Sequence, residues 1–258
     1  MIYFLKIAKV VIEVSCPDNL YLIDDWKVFF EEGWGTPFLV KKQKVDIKVI
    51  LDGYKTKGLR TIKSSMKDKV NLPSMNDSEL VFDHFLNPSL FVFFLSKLIK
   101  KTVEERGGLI LHASAFVKDN RAVLITGKSG SGKTTLLRQL MYFYSPIADD
   151  LVMLEKKKGK IFVYTSPLNL KLDTKLMKIG KFEVGAVVMV DKKTGFGIEK
   201  LKKNEALILL LDQTRSLLNN RVVAKRSLGY YKVLSANVYR ISYTIGESVN
   251  SLIEKIDL

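Results

Sequence analysis

A glycine-rich run at residues 127–134 has the composition and spacing that phosphate binding requires. It reads Gly-Lys-Ser-Gly-Ser-Gly-Lys-Thr and matches the pattern G-x-x-x-x-G-K-[ST] at every position. Backbone N–H groups can converge on phosphate oxygens only where side chains are small and φ is free, and glycine supplies both properties. The run therefore predicts a P-loop, which binds the phosphates of a nucleoside triphosphate such as ATP. We call it the glycine loop.

Two side chains of the glycine loop add charge and metal chemistry to this prediction. We expect Lys133 to place a positive charge on the β- and γ-phosphates and the Thr134 hydroxyl to bind Mg²⁺. An apolar strand at residues 122–126 leads into the loop, and a helix at residues 134–143 follows it, so the N–H groups of the helix start would also face the anion. The predicted nucleotide-binding residues are Gly127, Lys128, Ser129, Gly130, Ser131, Gly132, Lys133, Thr134 and Thr135.

Two adjacent carboxylates follow the helix of the loop. Asp149 and Asp150 come sixteen and seventeen residues after Lys133. Next to Mg·ATP, one carboxylate can bind the metal while the other accepts the proton of an attacking hydroxyl. An exposed turn or a helix N-cap is the alternative for such a pair. The position after the loop favours a role in catalysis.

His112 is a further candidate, upstream of the loop. It lies inside a predicted strand at residues 109–117, between Leu111 and Ala113. Histidine titrates near neutral pH and can therefore take part in proton transfer, but a lone histidine in a strand is also a common structural residue. The spacing leaves both roles open.

The composition indicates a soluble cytoplasmic protein with a sizeable core. Of the 258 residues, 47% are apolar, enough for one large domain or for a core domain with a smaller partner. The single cysteine, Cys16, excludes an internal disulfide and fits a reducing compartment. Lys6, Lys9 and Glu13 interrupt any signal-like apolar run, and the apolar stretch at residues 90–99 is about half as long as a membrane-spanning helix.

The net charge of +15 raises the question of an anionic partner. The basic residues are 34 Lys and 8 Arg, and they are scattered along the chain. Nucleic-acid interfaces usually concentrate Arg in a stripe with aromatic residues. We therefore expect a lysine-rich solvated surface, with no nucleic-acid partner and no membrane span.

The chain divides in its pattern near residue 87. Residues 1–86 carry short apolar runs separated by Gly, Pro, Asn and Asp, which predicts a small strand-rich N-terminal region. A helix follows, with Asn87 as N-cap, Pro88 at its first position and Gly107 at its end. We place a domain boundary before this helix, so that residues 87–258 form the second domain.

The second domain mixes strands, hairpins and helices, and this predicts the α/β class with a sheet that is not purely parallel. Periodicity and turn residues predict a hairpin, two further strands and two further helices. The hairpin spans residues 151–154 and 161–165, the strands 184–190 and 238–245, and the helices residues 204–218 and about 249–256.

Three segments together resemble the HPr serine kinase/phosphorylase family, and specifically its C-terminal catalytic domain and the shorter HPr-kinase-like proteins. They are Leu-His-Ala-Ser-Ala at residues 111–115, the glycine loop, and Ala-Asp-Asp at residues 148–150. The resemblance continues through residues 166–172 and the later elements, so it covers roughly residues 87–258. It implies a mixed-sheet P-loop kinase core similar to that of HPr kinase and of ATP-dependent phosphoenolpyruvate carboxykinase.

The resemblance also implies roles for single residues. Asp149 would be the catalytic base toward a serine hydroxyl, and Asp150 would hold Mg²⁺ together with Thr134. His112 would lie near the catalytic aspartate. From the P-loop pattern itself, Lys133 is expected to offset charge on the transferred phosphoryl group. The catalytic set is then Asp149, Lys133 and His112, the metal set is Thr134 and Asp150, and the cofactors are ATP and Mg²⁺.

The acceptor and the oligomeric state stay open. The Glu-x-Arg-Gly signature of HPr kinase has no match here, where residues 166–173 take its place. The expected acceptor is therefore a hydroxyl of a small protein, a peptide or free serine. Homo-oligomers occur in the family, and an oligomer is one expectation here. A P-loop NTP hydrolase and a non-catalytic nucleotide-binding regulatory module are the competing functions, and the loop alone does not separate them.

Overall fold

The computed structural model describes most of the chain in segments. These are residues 1–16, 26–51, 61–62, 70–71, 74–75, 79–82, 88–168, 173–191, 195–212, 221–243 and 248–258. The chain divides into two compact units: Met1–Thr102 with Asp173–Lys175, and Val103–Leu172 with Leu176–Leu258. The predicted division into residues 1–86 and 87–258 stays a prediction; in the structure the first unit also includes the helix residues up to Thr102.

The first unit contains a five-stranded mixed sheet with the order β1-β2-β3-β7-β6. β1 and β2 form an antiparallel hairpin, while β2, β3 and β7 run parallel. Two further short strands pair with each other. The strand-rich character predicted for this region is confirmed. The strands are β1 (Ile2–Ile7), β2 (Val10–Ser15), β3 (Ile47–Leu51), β4 (Thr61–Ile62), β5 (Val70–Asn71), β6 (Ser74–Met75) and β7 (Glu79–Phe82).

Aromatic packing consolidates the first unit. Trp26, Phe30 and Trp34 surround Phe91, with ring centroids 5.3 to 6.1 Å from its ring. Phe91 belongs to helix α1 (Pro88–Glu105). Because large aromatic side chains bury much apolar area, this cluster supplies a core for a small sheet. Short helical turns at Val28–Glu32 and Thr36–Phe38 carry or flank these rings. The predicted N-cap of α1, Asn87, lies outside the described residues.

The second unit is built on a mixed sheet of nine strands. Its main path is β11-β9-β10-β14-β13-β12-β8, and β16 pairs with both β14 and β15. β10, β14 and β16 are parallel to one another, and the other pairings are antiparallel. The mixed α/β class is thus confirmed. The strands are β8 (Leu109–Leu111), β9 (Ser114–Lys118), β10 (Arg121–Thr126), β11 (Ser145–Ala148), β12 (Val152–Lys157), β13 (Lys160–Tyr164), β14 (Lys181–Asp191), β15 (Gly197–Lys200) and β16 (Val238–Ser242).

Both faces of this sheet are covered by helices. Consecutive residues of β10 alternate between two apolar clusters, since successive strand side chains point to opposite faces. Leu124 packs in the cluster with Leu210 and Tyr231, and Ile125 in the one with Leu136 and Ile253. Such burial on both faces explains the continuous apolar runs in β10 and β14. The helices of this unit are α2 (Lys133–Leu140), α3 (Lys203–Asp212), α4 (Arg221–Leu234) and α5 (Asn250–Glu254).

Several sequence-based boundaries need correction. The predicted strand 109–117 is two strands, because β8 pairs with β12 while β9 pairs with β10 and β11. The helix predicted at residues 134–143 begins at Lys133 and ends at Leu140. Strand β11 and helix α4 have no counterpart in the prediction. The hairpin of β12 and β13 and the strand β14 are confirmed. The ends predicted at residues 218 and 245 lie outside the described residues.

The side chain of Tyr230 joins three segments of the second unit. Its hydroxyl accepts a hydrogen bond from the Lys156 N–H and donates to the Gly107 carbonyl, both at 3.0 Å. Tyr230 is buried, and burial raises the pKa of its hydroxyl, so the group stays protonated and able to donate. The hydroxyl therefore ties helix α4 to β12 and to the turn that follows α1.

We expect Tyr230→Phe to lower the free energy of unfolding by about 1–2 kcal/mol, because it removes both hydrogen bonds and leaves the ring in place. Urea denaturation followed by circular dichroism measures the change. The matched control is Tyr142→Phe, since Tyr142 is 88% exposed. Equal stability of the two variants would contradict this role of Tyr230.

Candidate functional site

The glycine loop connects the end of β10 to the start of α2. Gly127 has φ +148° and Gly132, which precedes the helix, has φ +101°. A side chain at Gly127 is excluded twice: its Cβ would lie 2.6 Å from Ser131 Oγ and 2.9 Å from the Val190 carbonyl oxygen. The loop is therefore folded closely against the end of β14, and only glycine permits that approach.

Lys133 is the first residue of α2, and its side chain turns back over the loop. Its ammonium donates hydrogen bonds to the carbonyls of Gly127, at 2.9 Å, and Lys128, at 3.1 Å. Burial lowers the pKa of Lys133 below its ordinary value, and the nearby carboxylates of Asp150 and Asp149 partly offset this. The structure thus holds a partly desolvated positive charge at the loop, close to both predicted aspartates.

Asp149 lies directly after β11 and is 2% exposed. Its Oδ1 accepts hydrogen bonds from Ser114 Oγ, at 2.6 Å, and from Thr134 Oγ1, at 3.2 Å. Its Oδ2 is buried and has no hydrogen-bond partner in the part of the chain that the structure describes. A buried carboxylate oxygen without a donor is rare because of its desolvation cost. This oxygen is therefore a natural position for a cation or a donor from a ligand.

Asp150 occupies a tight turn that separates its side chain from that of Asp149. The Leu151 N–H donates to the Asp149 carbonyl, and Asp150 itself has φ +70°. Its Oδ1 lies 2.9 Å from His112 Nδ1, and both side chains are about half exposed, at 42% and 55%. Asp is one of the few non-glycine residues that adopt this left-handed conformation readily, as Asp119 also does in this chain.

The structure places His112 differently from the prediction. It does not lie inside a strand but in the break between β8 and β9, which is the reason that its side chain is exposed. Its contact is with Asp150, the second residue of the pair. The break is needed because β8 and β9 pair with different neighbours.

The structure brings the predicted catalytic and metal-binding residues into one cluster. Direct contacts link Thr134 to Asp149 and His112 to Asp150. The charges of both carboxylates act on the Lys133 ammonium and favour its protonated form. The remaining loop residues Lys128, Ser129 and Gly130 are exposed, and Ser131 is buried. Thr135 lies half-buried in the first turn of α2.

Three polar residues of this region were missed by the sequence reasoning. Ser114 is a hydrogen-bond donor to Asp149, and the signal was its place two residues after His112. Tyr243, after β16, donates a hydrogen bond from its hydroxyl to the Gly132 carbonyl at 3.1 Å. Arg240, on β16, lines a cavity of about 360 Å³ beside the loop. The last two come from a distant part of the chain and carry no local signal.

The arrangement suits an anion that is bound together with a divalent cation. The loop and the start of α2 present backbone N–H groups, and Lys133 adds positive charge. Among the described residues, no three His, Cys, Asp or Glu side chains form a group that could hold a metal by themselves. Mg²⁺ usually keeps only one or two protein carboxylates and completes its shell with phosphates and water. Asp149 Oδ2 and the Thr134 hydroxyl fit such a shell.

Comparisons with known proteins add little beyond this geometry. No family model and no curated protein sequence matches the chain. Among solved structures, it is similar to the HPr(Ser) kinase/phosphatase from Coxiella burnetii, with 16% identity and a TM-score of 0.33 over 57% of this chain and 86% of that one. A similarity this low does not indicate a function, so the function has to be argued from the residues of this chain. Across the described residues, no helix is both long and apolar enough to cross a bilayer.

We expect Gly127→Ala to lower the free energy of unfolding by about 1–3 kcal/mol, because the new methyl group meets the Val190 carbonyl and the backbone is strained at this φ. Thermal and urea denaturation measure the loss. Gly197→Ala is the control, since no atom of the described residues lies within 4 Å of its added Cβ. If Gly127→Ala is as stable as this control, the loop does not pack against β14 as described.

Proposed function

We propose that this protein is a kinase that transfers the γ-phosphoryl group of ATP, with Mg²⁺, to a hydroxyl group. The expected acceptor is a serine of a small protein or peptide, or free serine. The observation that carries the proposal is the contact of buried Asp149 with Thr134 of the glycine loop. In the proposed complex the two adjacent carboxylates would lie beside the end of the triphosphate that the loop holds.

The glycine loop supplies nucleotide binding in this proposal. Its backbone N–H groups and those of the first turn of α2 bind phosphate oxygens. The residues that contact the nucleotide are then 127–135. Lys133 now bonds two loop carbonyls. On nucleotide binding its ammonium exchanges them for β- and γ-phosphate oxygens, which are stronger acceptors because they carry charge.

The metal ion belongs beside Thr134. When bound, Mg²⁺ neutralises charge on the β- and γ-phosphates, and the Thr134 hydroxyl with one carboxylate of the pair would hold it. The sequence resemblance assigns that carboxylate to Asp150. The contacts of the structure favour Asp149, because its Oδ1 already accepts a hydrogen bond from the Thr134 hydroxyl. Its Oδ2 has no hydrogen-bond partner within the described segments.

The other carboxylate accepts the proton. In the transfer step the acceptor oxygen forms a bond to the γ-phosphorus, the bond from that phosphorus to the oxygen of ADP breaks, and the hydroxyl proton passes to the carboxylate. The resemblance assigns this role to Asp149. Asp150 is the candidate that the contacts favour, because it is more exposed to an incoming acceptor and pairs with His112, which can take the proton onward.

The kinase family itself remains a prediction carried by the sequence segments around His112, the glycine loop and Asp149. The mixed α/β sheet is compatible with it. Homo-oligomerisation and a cytoplasmic location also stay predictions. An NTP hydrolase and a nucleotide-binding regulatory module share the loop, and the product of the reaction separates these functions.

The direct test is incubation with γ-labelled ATP and Mg²⁺ in the presence of free serine, small proteins or serine-ending peptides. We expect label on an acceptor hydroxyl. Label found only as free phosphate would contradict the kinase and show that the protein is an NTP hydrolase. Nucleotide that is bound but never cleaved would show that the protein is a nucleotide-binding module without catalytic activity.

A second test separates the roles of the two aspartates, and Asn is the substitute because it keeps the shape and tolerates positive φ. If the contacts assign the roles, Asp150→Asn lowers transfer by about 10²- to 10⁴-fold and keeps Mg²⁺-dependent ATP binding. Asp149→Asn then loses the Mg²⁺ dependence of binding. The reverse pattern would support the assignment from the resemblance. Asp119→Asn is the control, as Asp119 is exposed and also has positive φ.

Wild-type transfer by both variants would contradict the roles proposed for the two aspartates, while the transfer itself would still show a kinase. In that case neither carboxylate takes part in the reaction, and the contact of Asp149 with Thr134 serves only the fold.

A further inference from the structure

A cavity of about 360 Å³ lies beside the glycine loop, on the flank away from the aspartate pair. β10, which leads into the loop, has β9 on one side and β14 on the other. Asp149 belongs to the β9 and β11 side. The cavity belongs to the β14 and β16 side, and its lining includes Ser131, Met189, Asp191, Leu209, Asp212 and Arg240.

The glycine loop itself lines one side of the cavity and adds the positive charge of Lys128 there. Away from the loop the charges do not suit a phosphate chain, because Asp191 and Asp212 are carboxylates. The guanidinium of Arg240 is hydrogen-bonded to Glu199 and Glu205 and also approaches Asp191. Its positive charge is therefore largely offset. Carboxylates accept hydrogen bonds from hydroxyl and amino groups, so the cavity suits a neutral ligand part that carries such donors.

The other lining groups suit the same kind of ligand. Met189 and Leu209 provide apolar surface on which a flat ring can pack. Ser131 belongs to both the glycine loop and the cavity and is 9% exposed. Its hydroxyl has no hydrogen-bond partner among the residues that the structure describes. A buried hydroxyl without a partner at a cavity wall is explained when a ligand completes its hydrogen bonding.

We propose that this cavity binds the ribose and base of the nucleoside triphosphate. This rests on the nucleotide binding of the proposed function. The triphosphate then crosses the glycine loop from the Leu209 side to the Asp149 side, with its γ-phosphate at the aspartates. The ribose hydroxyls and base amino group donate to Asp191 and Asp212. The volume is at the low end of the range for small-molecule sites, about 300–1,000 Å³, and fits a nucleoside more readily than a larger cofactor.

The test compares ATP with inorganic tripolyphosphate, which has the phosphates but no nucleoside. Leu209→Trp fills the cavity from its apolar wall. Ile208→Trp is the matched control, because its side chain is the neighbour on the same helix, is 67% exposed and does not line the cavity. Isothermal titration calorimetry with Mg²⁺ gives the affinity of each protein for each ligand.

We expect Leu209→Trp to weaken ATP binding by about tenfold or more relative to Ile208→Trp and to leave tripolyphosphate binding unchanged. Equal ATP affinity of the two variants would overturn the nucleoside site while the proposed function stands. Failure of the wild-type protein to bind either ligand would overturn both.

If Leu209→Trp loses affinity for both ATP and tripolyphosphate, the substitution has damaged the glycine loop. In that case Asp212→Asn is the variant that tests the nucleoside site. This variant keeps the size of the side chain but replaces one carboxylate oxygen by an amide donor. Selective weakening of ATP, by about threefold or more, supports the nucleoside site. Unchanged affinity for ATP contradicts it.

Discussion

The buried carboxylate of Asp149 is the interaction on which the site depends. A charge that is almost fully withdrawn from water must be compensated by hydrogen bonds. Asp149 obtains them from Ser114 on β9 and from Thr134 on α2, while its own position follows β11. Three elements from separate parts of the second unit are thus brought to one oxygen atom. A shift of β9, β11 or α2 would break these hydrogen bonds and leave the buried carboxylate without donors.

Strand β14 provides the complementary support on the other flank. Its parallel pairing with β10 ends where the glycine loop begins, and the Val190 carbonyl lies against Gly127. On its second edge β14 pairs with β16, which carries Arg240 and leads to Tyr243. The loop therefore lies between Asp149 and Asp150 on one flank and, on the other, a cavity whose lining includes Arg240 and apolar side chains. In the proposed function this difference between the flanks would set the direction of a bound nucleotide.

The parts that the sequence predicted well have local signals. The glycine loop is specified by residue types at fixed spacing, and β10, β14 and the hairpin of β12 and β13 by apolar runs and a turn. Such patterns report on neighbouring residues only. The expectation that Asp149 and Asp150 lie near the loop came from their position directly after its helix and from the family resemblance.

The parts that were missed depend on pairings between distant residues. Residues 109–117 look like one apolar strand, and nothing in them shows that their halves pair with different strands and leave His112 in the break. β11 is only four residues long and contains Pro146, so it resembles a connection. The partner of Asp149 and the cavity residues around Arg240 come together only in the folded chain.

The most direct measurement of the central claim is a crystal structure of the protein with Mg²⁺ and a non-hydrolysable ATP analogue. We expect the β- and γ-phosphates within the glycine loop, Lys133 moved from the Gly127 carbonyl onto phosphate oxygens, and the terminal phosphate beside Asp149 and Asp150. A nucleotide bound elsewhere, or one whose terminal phosphate points away from this pair, would contradict the site and the function proposed from it.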